Sequence, residues 1–437
     1  MARSAALSPP VANAGRTSVS AAGLRRAGDG IVAALRSRGR ATGPTGPVVV
    51  AALVLALIIG VRLSVVNGNP TGLIEFGRQF AAHTHPPPNA IIESRFGYDG
   101  QFYWIQAQDP LVLRSATLRD IDASGRGYDL QRVAYPALAY VLAAGQPGAV
   151  PWTMLAVNVL ALLGITAAVA AYARRRGRSV WWGLAAGLTP GLVMGTLRDL
   201  SDPLAVAAML GALLAYERGR RWWGAALLTL AVLAREPMIV GVVAVGIDIL
   251  AGLWRARRDP AARAALVRSW PVVFAPVAAF IGWQIYTRGL IVPPAPTHAA
   301  AAVTHAARAT HAVAGSDTLA LPPFSDFVTE IRRSLTNDAA GPAAWELAYV
   351  ALLGLGAVSA VWLLRRGLRA ATITAVLSAA VLTVIFLGDQ WGVSRYGAPL
   401  FGALLIAGLG LRSRAALGLC AAAAALTLLV PLVIPGG

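Results

Sequence analysis

The sequence contains one cysteine and no lysine among its 437 residues. Cys420 has no second cysteine with which to pair, so an intrachain disulfide is excluded. Charged residues are also scarce, at 13% of the chain against 57% hydrophobic residues, and the mean hydropathy is +0.61. These values exceed what the core of a soluble protein of this length needs. The composition therefore predicts a membrane protein built from many apolar helices.

All 38 basic residues are arginine, and the formal net charge is +18. The arginines lie in short clusters between apolar runs, as in Arg174-Arg175-Arg176, and do not form one basic face that could follow a phosphate backbone. Such clusters are typical of cytoplasmic loops that obey the positive-inside rule. We therefore expect a membrane as partner and no nucleic acid.

Eleven apolar runs approach or reach the length that crosses a membrane. They comprise residues 47–66, 151–172, 181–197, 203–216, 222–234, 237–254, 271–286, 343–364, 371–387, 396–411 and 415–434. With the N-terminus in the cytoplasm, the inside holds 24 arginines and 4 acidic residues, and the outside 14 arginines and 16 acidic residues. Residues 134–145 form a shorter run, which we interpret as a re-entrant or interfacial helix. The sequence predicts an all-α polytopic membrane protein with about eleven transmembrane helices.

Residues 1–46 are rich in Ala, Gly, Ser, Pro and Arg and contain a single acidic residue, Asp29. They cannot bury a core and are predicted to form a disordered cytoplasmic tail before a transmembrane domain at 47–437. Two polar stretches, at about 67–133 and 288–342, are predicted to be outer loops. Gly, Pro and Asp residues recur in the first of them, which indicates short surface helices joined by turns.

Four polar clusters fall at the outer ends of the predicted helices. They contain Asp99; Arg198, Asp199 and Asp202; Arg235 and Glu236; and Arg395. Each cluster has a structural alternative, because an aspartate suits a turn or a helix start and a boundary arginine suits an ordinary ion pair or a contact with the membrane interface. The aromatic residues beside Asp99 suit either an interfacial helix or a platform for a sugar.

Metal binding is not expected from the five histidines. His83 and His85 lie two residues apart before a triple proline, but no second ligand cluster accompanies them. The spacings of His298, His305 and His311 do not keep all three on one helical face, so an alanine-rich segment of low complexity explains them better. The sequence predicts neither a metal nor another cofactor.

Several motifs resemble those of bacterial integral membrane proteins related to the GT-C glycosyltransferases. The most specific is Gly97-Tyr98-Asp99-Gly100-Gln101-Phe102-Tyr103, and Ser201-Asp202-Pro203, Ala234-Arg235-Glu236 and Arg395-Tyr396-Gly397-Ala398-Pro399 are similar to segments of GPI-mannosyltransferase-like enzymes. The resemblance covers most of residues 47–411. It implies a GT-C-like fold and transfer of a sugar from a polyprenyl-phosphate donor to an envelope glycan or lipid acceptor. The active site would face the extracytoplasmic side of the bacterial inner membrane.

The resemblance also implies that a carboxylate in the first outer loop acts as catalytic base, and only Asp99 matches that role. Gly100 stands where paired-acid forms of the motif have a second acid, which argues against a metal. A phosphate leaving group needs cationic donors, so Arg198, Arg235 and Arg395 are candidates for binding the lipid phosphate. Supporting or substrate-binding roles are expected for Tyr98, Gln101, Tyr103, Asp199, Asp202 and Glu236, and the anomeric configuration is expected to invert.

Two other functions stay open at this point. A transporter or flippase of lipid-linked sugars would also need many helices and phosphate-binding arginines, although transporters more often place ionisable groups near the membrane midplane. A non-catalytic scaffold in envelope glycopolymer assembly is the third possibility.

Overall fold

The computed structural model describes residues 43–94, 96–114, 117, 130–290, 340–367, 369–382 and 390–426. This part of the chain is mostly helical. Its α-helices are α1 (Thr45–Val65), α2 (Arg78–His83), α3 (Gly100–Gln106), α4 (Ala134–Leu142), α5 (Val150–Arg175), α6 (Trp182–Gly187), α7 (Pro190–Leu197), α8 (Asp202–Glu217), α9 (Arg221–Ala234), α10 (Ile239–Arg255), α11 (Pro260–Val267), α12 (Pro271–Leu290), α13 (Ala340–Leu364), α14 (Ala370–Leu382), α15 (Gln390–Leu411) and α16 (Arg414–Ala425). Two short strands, β1 (Phe76–Gly77) and β2 (Ile92–Ser94), and short 3-10 helices lie between them.

Six helical segments of the described chain are long and apolar enough to cross a membrane. They are Thr45–Val65, Pro147–Arg175, Glu236–Arg255, Pro260–Thr287, Leu347–Leu364 and Ser394–Leu411. Helices α9, α14 and α16 are also apolar but shorter. The prediction of a helical membrane protein is therefore confirmed.

Several sequence predictions concern residues outside the described ranges. They are the cytoplasmic tail up to residue 42, the second outer loop over 291–339 with its three histidines, and the last predicted span beyond residue 426.

The predicted span at 181–197 is not one continuous helix. It consists of α6 and α7, which are separated at Leu188 and Thr189. Thr189 is extended, with φ −65° and ψ 130°, because the ring of Pro190 disfavours a helical conformation in the residue before it. All eight residues of α7 are buried, so this short helix ends in the interior at Arg198.

Helix α4 agrees with the prediction of a re-entrant or interfacial helix. Its nine residues extend about 14 Å, less than half the thickness of a hydrocarbon core. Tyr135 and Pro136 of α4 are buried, and the Tyr135 hydroxyl donates a hydrogen bond to the carbonyl of Met154 at 3.1 Å. This bond fixes α4 against α5.

The first outer loop contains short helices, as predicted, but α3 is not a surface helix. Every residue of α3 is buried. Trp104 packs edge-on against Phe76 with ring centroids 5.2 Å apart, and Phe102 packs against Phe80 at 5.5 Å. Strands β1 and β2 pair in parallel beside this aromatic cluster. The aromatic side chains therefore pack on one another as the core of the loop, so the alternative in which they form an exposed apolar face on an interfacial helix is not supported.

Helices α7 and α15 contact each other closely at Gly191. A Cβ atom added at this position would overlap the backbone of Ser394, which immediately precedes Arg395. Only a residue without a side chain lets the two helices approach this far. Gly191 therefore sets the position of the Arg395 backbone.

We predict that Gly191→Ala destabilises the protein by about 1–3 kcal/mol, because two backbones would have to separate. Thermal unfolding of the purified protein in detergent measures the effect. Gly164→Ala is the matched control, since no described atom lies within 4 Å of a Cβ added in that part of α5. Equal melting temperatures for the two variants would contradict the prediction.

Candidate active site

Asp99 lies directly before α3 but does not act as the side-chain cap of that helix. It has the position of an N-cap, yet its carboxylate makes no capping hydrogen bond and its backbone is helical, with φ −58° and ψ −26°. The alternative of a simple helix cap is therefore not supported. The carboxylate instead contacts two arginines that are distant in the sequence.

One carboxylate oxygen of Asp99 lies between two guanidinium groups. Its Oδ2 atom is 3.6 Å from Nη1 of Arg132 and 3.7 Å from Nη1 of Arg395. The arginine side chains are 5% and 8% exposed, while that of Asp99 is 16% exposed. The carboxylate is thus the most accessible member of this trio.

Arg132 connects the Asp99 carboxylate to a second acid. Its Nε donates to both carboxylate oxygens of Glu236, at 2.9 and 3.2 Å, and its Nη1 donates to the Tyr103 hydroxyl at 3.2 Å. The Ser201 hydroxyl donates to the same Tyr103 oxygen at 3.2 Å. Glu236 was expected to orient a phosphate-binding arginine, but it orients Arg132, which the sequence analysis did not single out.

Arg198 contacts Glu75 and the ring of Tyr98. Its Nε is 3.2 Å from Oε1 of Glu75, and its guanidinium carbon is 4.6 Å from the centre of the Tyr98 ring. Arg395 approaches the same ring at 5.6 Å. Tyr98 therefore links two of the predicted phosphate ligands, and Glu75 is a further acid that the sequence analysis missed.

Arg235 and Asp202 form a buried ion pair next to Arg395, which belongs to the trio of Asp99, Arg132 and Arg395. The Arg235 Nε is 3.0 Å from Asp202 Oδ1, and the two side chains are only 2% and 4% exposed. The cavity beside them measures about 20 Å³, room for about one water molecule. This pair joins α8 to the turn before α10, and its burial favours a structural role over phosphate binding by Arg235.

Arg395 has two buried donors without a hydrogen-bond partner among the described residues, where Arg235 has one, its Nη1. The Nη2 of Arg395 donates to the Tyr396 hydroxyl at 3.2 Å, but its buried Nε and Nη1 have no hydrogen-bond partner among the described residues. Nη1 retains only its longer ion pair with Asp99. Of the three predicted phosphate ligands, Arg395 therefore both contacts Asp99 and has N–H groups that could donate to a ligand.

Gln101 serves the loop and not an open site. Its Oε1 accepts a hydrogen bond from the Gly77 backbone N–H at 3.0 Å, and its Nε2 donates to the Phe96 carbonyl at 2.9 Å. The residue is 1% exposed. Both ends of the amide hold the strand β1 against the loop before α3, so the expected contact with substrate is not supported.

Asp199 contacts none of the arginines that it was expected to orient. The residue is fully buried with a positive φ of 47°, and neither carboxylate oxygen has a hydrogen-bond partner among the described residues. Burial raises the pKa of Asp199 well above its usual range, although the neighbouring Tyr135 hydroxyl opposes that shift. Burial therefore favours the protonated form of Asp199 over the carboxylate.

The described residues contain no group of three histidine, cysteine, aspartate or glutamate side chains placed to hold a metal ion. The candidate site consists instead of a carboxylate, several guanidinium groups and tyrosines. Such a set can accept a proton at Asp99 and bind an oxyanion at Arg395.

We predict that Asp199→Asn stabilises the protein increasingly as pH rises. Below the pKa of about 3.9 that the carboxyl has in the unfolded chain, it is protonated in both states and does not change the free energy of unfolding. Above that pKa, only the unfolded state releases the proton. The free energy of unfolding of the wild type therefore falls by up to about 1.4 kcal/mol per pH unit until the group in the folded state also ionises.

Thermal unfolding of wild-type protein and Asp199→Asn between about pH 4.5 and pH 7.5 tests this expectation. Asparagine keeps the side-chain shape and tolerates the positive φ, so the values at the acidic end serve as the internal control. A difference in melting temperature that stays constant over this range would contradict a raised pKa for Asp199.

No protein-family model matches the chain, and comparisons with curated proteins and with solved structures find no significant match.

Proposed function

We propose that the protein is an inverting glycosyltransferase of the GT-C type, which transfers a sugar from a polyprenyl-phosphate donor to an envelope glycan or glycolipid. The observation that carries this proposal is the Asp99 carboxylate between Arg132 and Arg395, with spare N–H donors on Arg395. A base and an oxyanion ligand in contact are what a displacement of phosphate by a hydroxyl requires.

In the proposed reaction, Asp99 accepts the proton of the acceptor hydroxyl as that oxygen attacks the anomeric carbon. The bond from the anomeric carbon to the donor phosphate breaks from the opposite face, so the configuration inverts. The departing polyprenyl phosphate carries its own negative charge and needs no added proton. Arg395 binds its oxygens, and Arg198, which contacts the same Tyr98 ring, adds a second positive charge.

The other residues position this pair. Arg132 holds the Asp99 carboxylate and is itself held by Glu236 and the Tyr103 hydroxyl. The Arg235–Asp202 pair supports Arg395 from behind, since both arginines contact the Tyr396 ring, at 5.2 and 4.9 Å. Charged groups so placed keep their orientation when a substrate arrives, which lowers the cost of reorganisation.

The proposal includes about eleven transmembrane helices in the bacterial inner membrane, with the N-terminus in the cytoplasm and the site on the extracytoplasmic face. The distribution of arginine supports this orientation, because the arginine-rich turns after α5, α8 and α10 lie at the end of these helices away from Asp99. A polyprenyl phosphate within the outer leaflet would then reach Arg395 at the membrane boundary.

We expect Asp99→Asn to lower kcat for sugar transfer by about 10²–10⁴-fold, because the isosteric amide cannot accept the proton. Purified protein, a panel of polyprenyl-phosphate sugars and envelope acceptors provide the assay. Asp109→Asn is the matched control, since Asp109 lies in the same loop and only accepts a hydrogen bond from the Arg114 backbone N–H at 2.7 Å. Transfer at a near wild-type rate by Asp99→Asn would refute the assignment of the base.

For the donor site, Arg395→Gln should raise the KM for the polyprenyl-phosphate sugar or lower kcat, by about 10–100-fold in kcat/KM, through loss of charge-assisted hydrogen bonds to phosphate. The KM for the acceptor should change little. Donor kinetics that match those of the wild type, in a variant with an unchanged melting temperature, would exclude Arg395 as the phosphate ligand.

A further inference from the structure

A second polar region lies at the opposite end of the helices that form the Asp99 site. Helix α8 extends about 24 Å from Asp202 beside that site to Glu217, and the 16 residues from Arg395 to Gly410 in α15 also extend about 24 Å. Glu217 and Gly410 both line a cavity of about 690 Å³. This volume is within the range of small-molecule binding sites and far exceeds the space beside Arg235.

The cavity carries an excess of positive charge. Four arginines line it, Arg176, Arg221, Arg268 and Arg369, against two carboxylates, Glu217 and Asp248. The net formal charge of these six side chains is therefore +2.

Both carboxylates are already engaged by neighbouring side chains. Glu217 pairs with Arg176, lies 3.7 Å from Nη1 of Arg369, and accepts a hydrogen bond from Tyr172 at 3.1 Å. These contacts leave the remaining arginines of the cavity without an acid.

Asp248 accepts a hydrogen bond from the Tyr216 hydroxyl at 3.0 Å and lies 3.9 Å from Nη2 of Arg255. Neither Arg221 nor Arg268 forms an ion pair with a described residue, and Arg221 only stacks near the ring of Trp222. The excess charge of the cavity is thus located on these two arginines.

The cavity also has an apolar side. Leu213 of α8, Leu266 of α11 and Ile406 of α15 line it together with several alanines. Its walls come from apolar helices that end on the side of the bundle opposite Asp99. An opening between these helices would therefore face the headgroup region of a bilayer. Basic pockets between transmembrane helices bind lipid phosphate groups through the same combination of charge and apolar surface.

We propose that this cavity binds the phosphate group of an anionic lipid, with Arg221 and Arg268 at the phosphate and the apolar wall at the adjoining chain. Guanidinium groups suit this role because they donate two parallel hydrogen bonds to phosphate oxygens. The site is separate from Asp99 and does not depend on the proposed transfer reaction.

The test measures binding of dodecyl phosphate to the purified full-length protein in dodecyl maltoside by isothermal titration. We expect saturable binding in the wild type. Arg395→Gln removes the proposed donor-phosphate ligand at the other end of the bundle, and the binding that this variant retains is assigned to the cavity. Combined with Arg395→Gln, the substitutions Arg221→Gln and Arg268→Gln should weaken the retained binding at least about tenfold, as expected for loss of charge-assisted hydrogen bonds. Arg257→Gln/Arg258→Gln is the matched control, because these arginines are exposed on the same end of the molecule and do not line the cavity.

Inorganic phosphate serves as a competitor in the same titration. A lipid ligand predicts little competition at concentrations equal to that of dodecyl phosphate, whereas equal competition would identify a soluble phosphate compound and overturn the lipid assignment. If the wild type shows no saturable binding, the proposal is overturned by that titration alone. Saturable binding that persists in Arg395→Gln separates this site from the proposed donor site, so failure of the transferase proposal and failure of this one are distinguishable.

Discussion

Pairing of charge inside an apolar helix bundle is the constraint on which this structure depends. A charged group removed from water costs several kcal/mol unless an opposite charge or hydrogen bonds compensate it. Asp99 meets this requirement with Arg132 and Arg395, and Arg235 meets it with Asp202. Because these partners come from distant parts of the sequence, their pairing fixes the loop before α3, the start of α8 and the start of α15 relative to one another.

The same constraint explains why polar chemistry is confined to the two ends of the bundle. Helices α8 and α15 carry no charged residue between their two polar ends. The acids and arginines at one end therefore cannot pair with those at the other. At one end the acids and arginines form a compact network around Asp99, with a cavity of only about 20 Å³ beside Arg235. At the other end the arginines exceed the acids and surround about 690 Å³. We interpret the first end as a site for chemistry and the second as a site for an anionic lipid.

Much of the candidate site was predictable because charge in an apolar sequence is rare and therefore conspicuous. Asp99, Arg198, Arg235, Glu236 and Arg395 were selected on that basis, and the structure brings all five to one end of the bundle. The loop of about 67–133 contains many charges, however, and nothing in its sequence distinguished Arg132 or Glu75 from the others. Gln101 and Asp199 were misjudged for a related reason, since a polar side chain in a motif does not reveal whether it serves a substrate or the fold.

The sequence by itself determined the class of protein, because the length and apolarity of a membrane helix are local properties of the chain. The break at Thr189 also has a local cause, since Pro190 acts on its immediate neighbour, but residues 181–197 were predicted as one span. Only the tertiary structure decided which charges meet. Ion pairs such as Arg132–Glu236 join residues about a hundred positions apart, and their geometry depends on contacts such as that of Gly191 with Ser394, where helix packing sets the distance. The spacing of residues along the sequence carries no information on the distance between packed helices. The chemistry of the site therefore depends on how the helices pack.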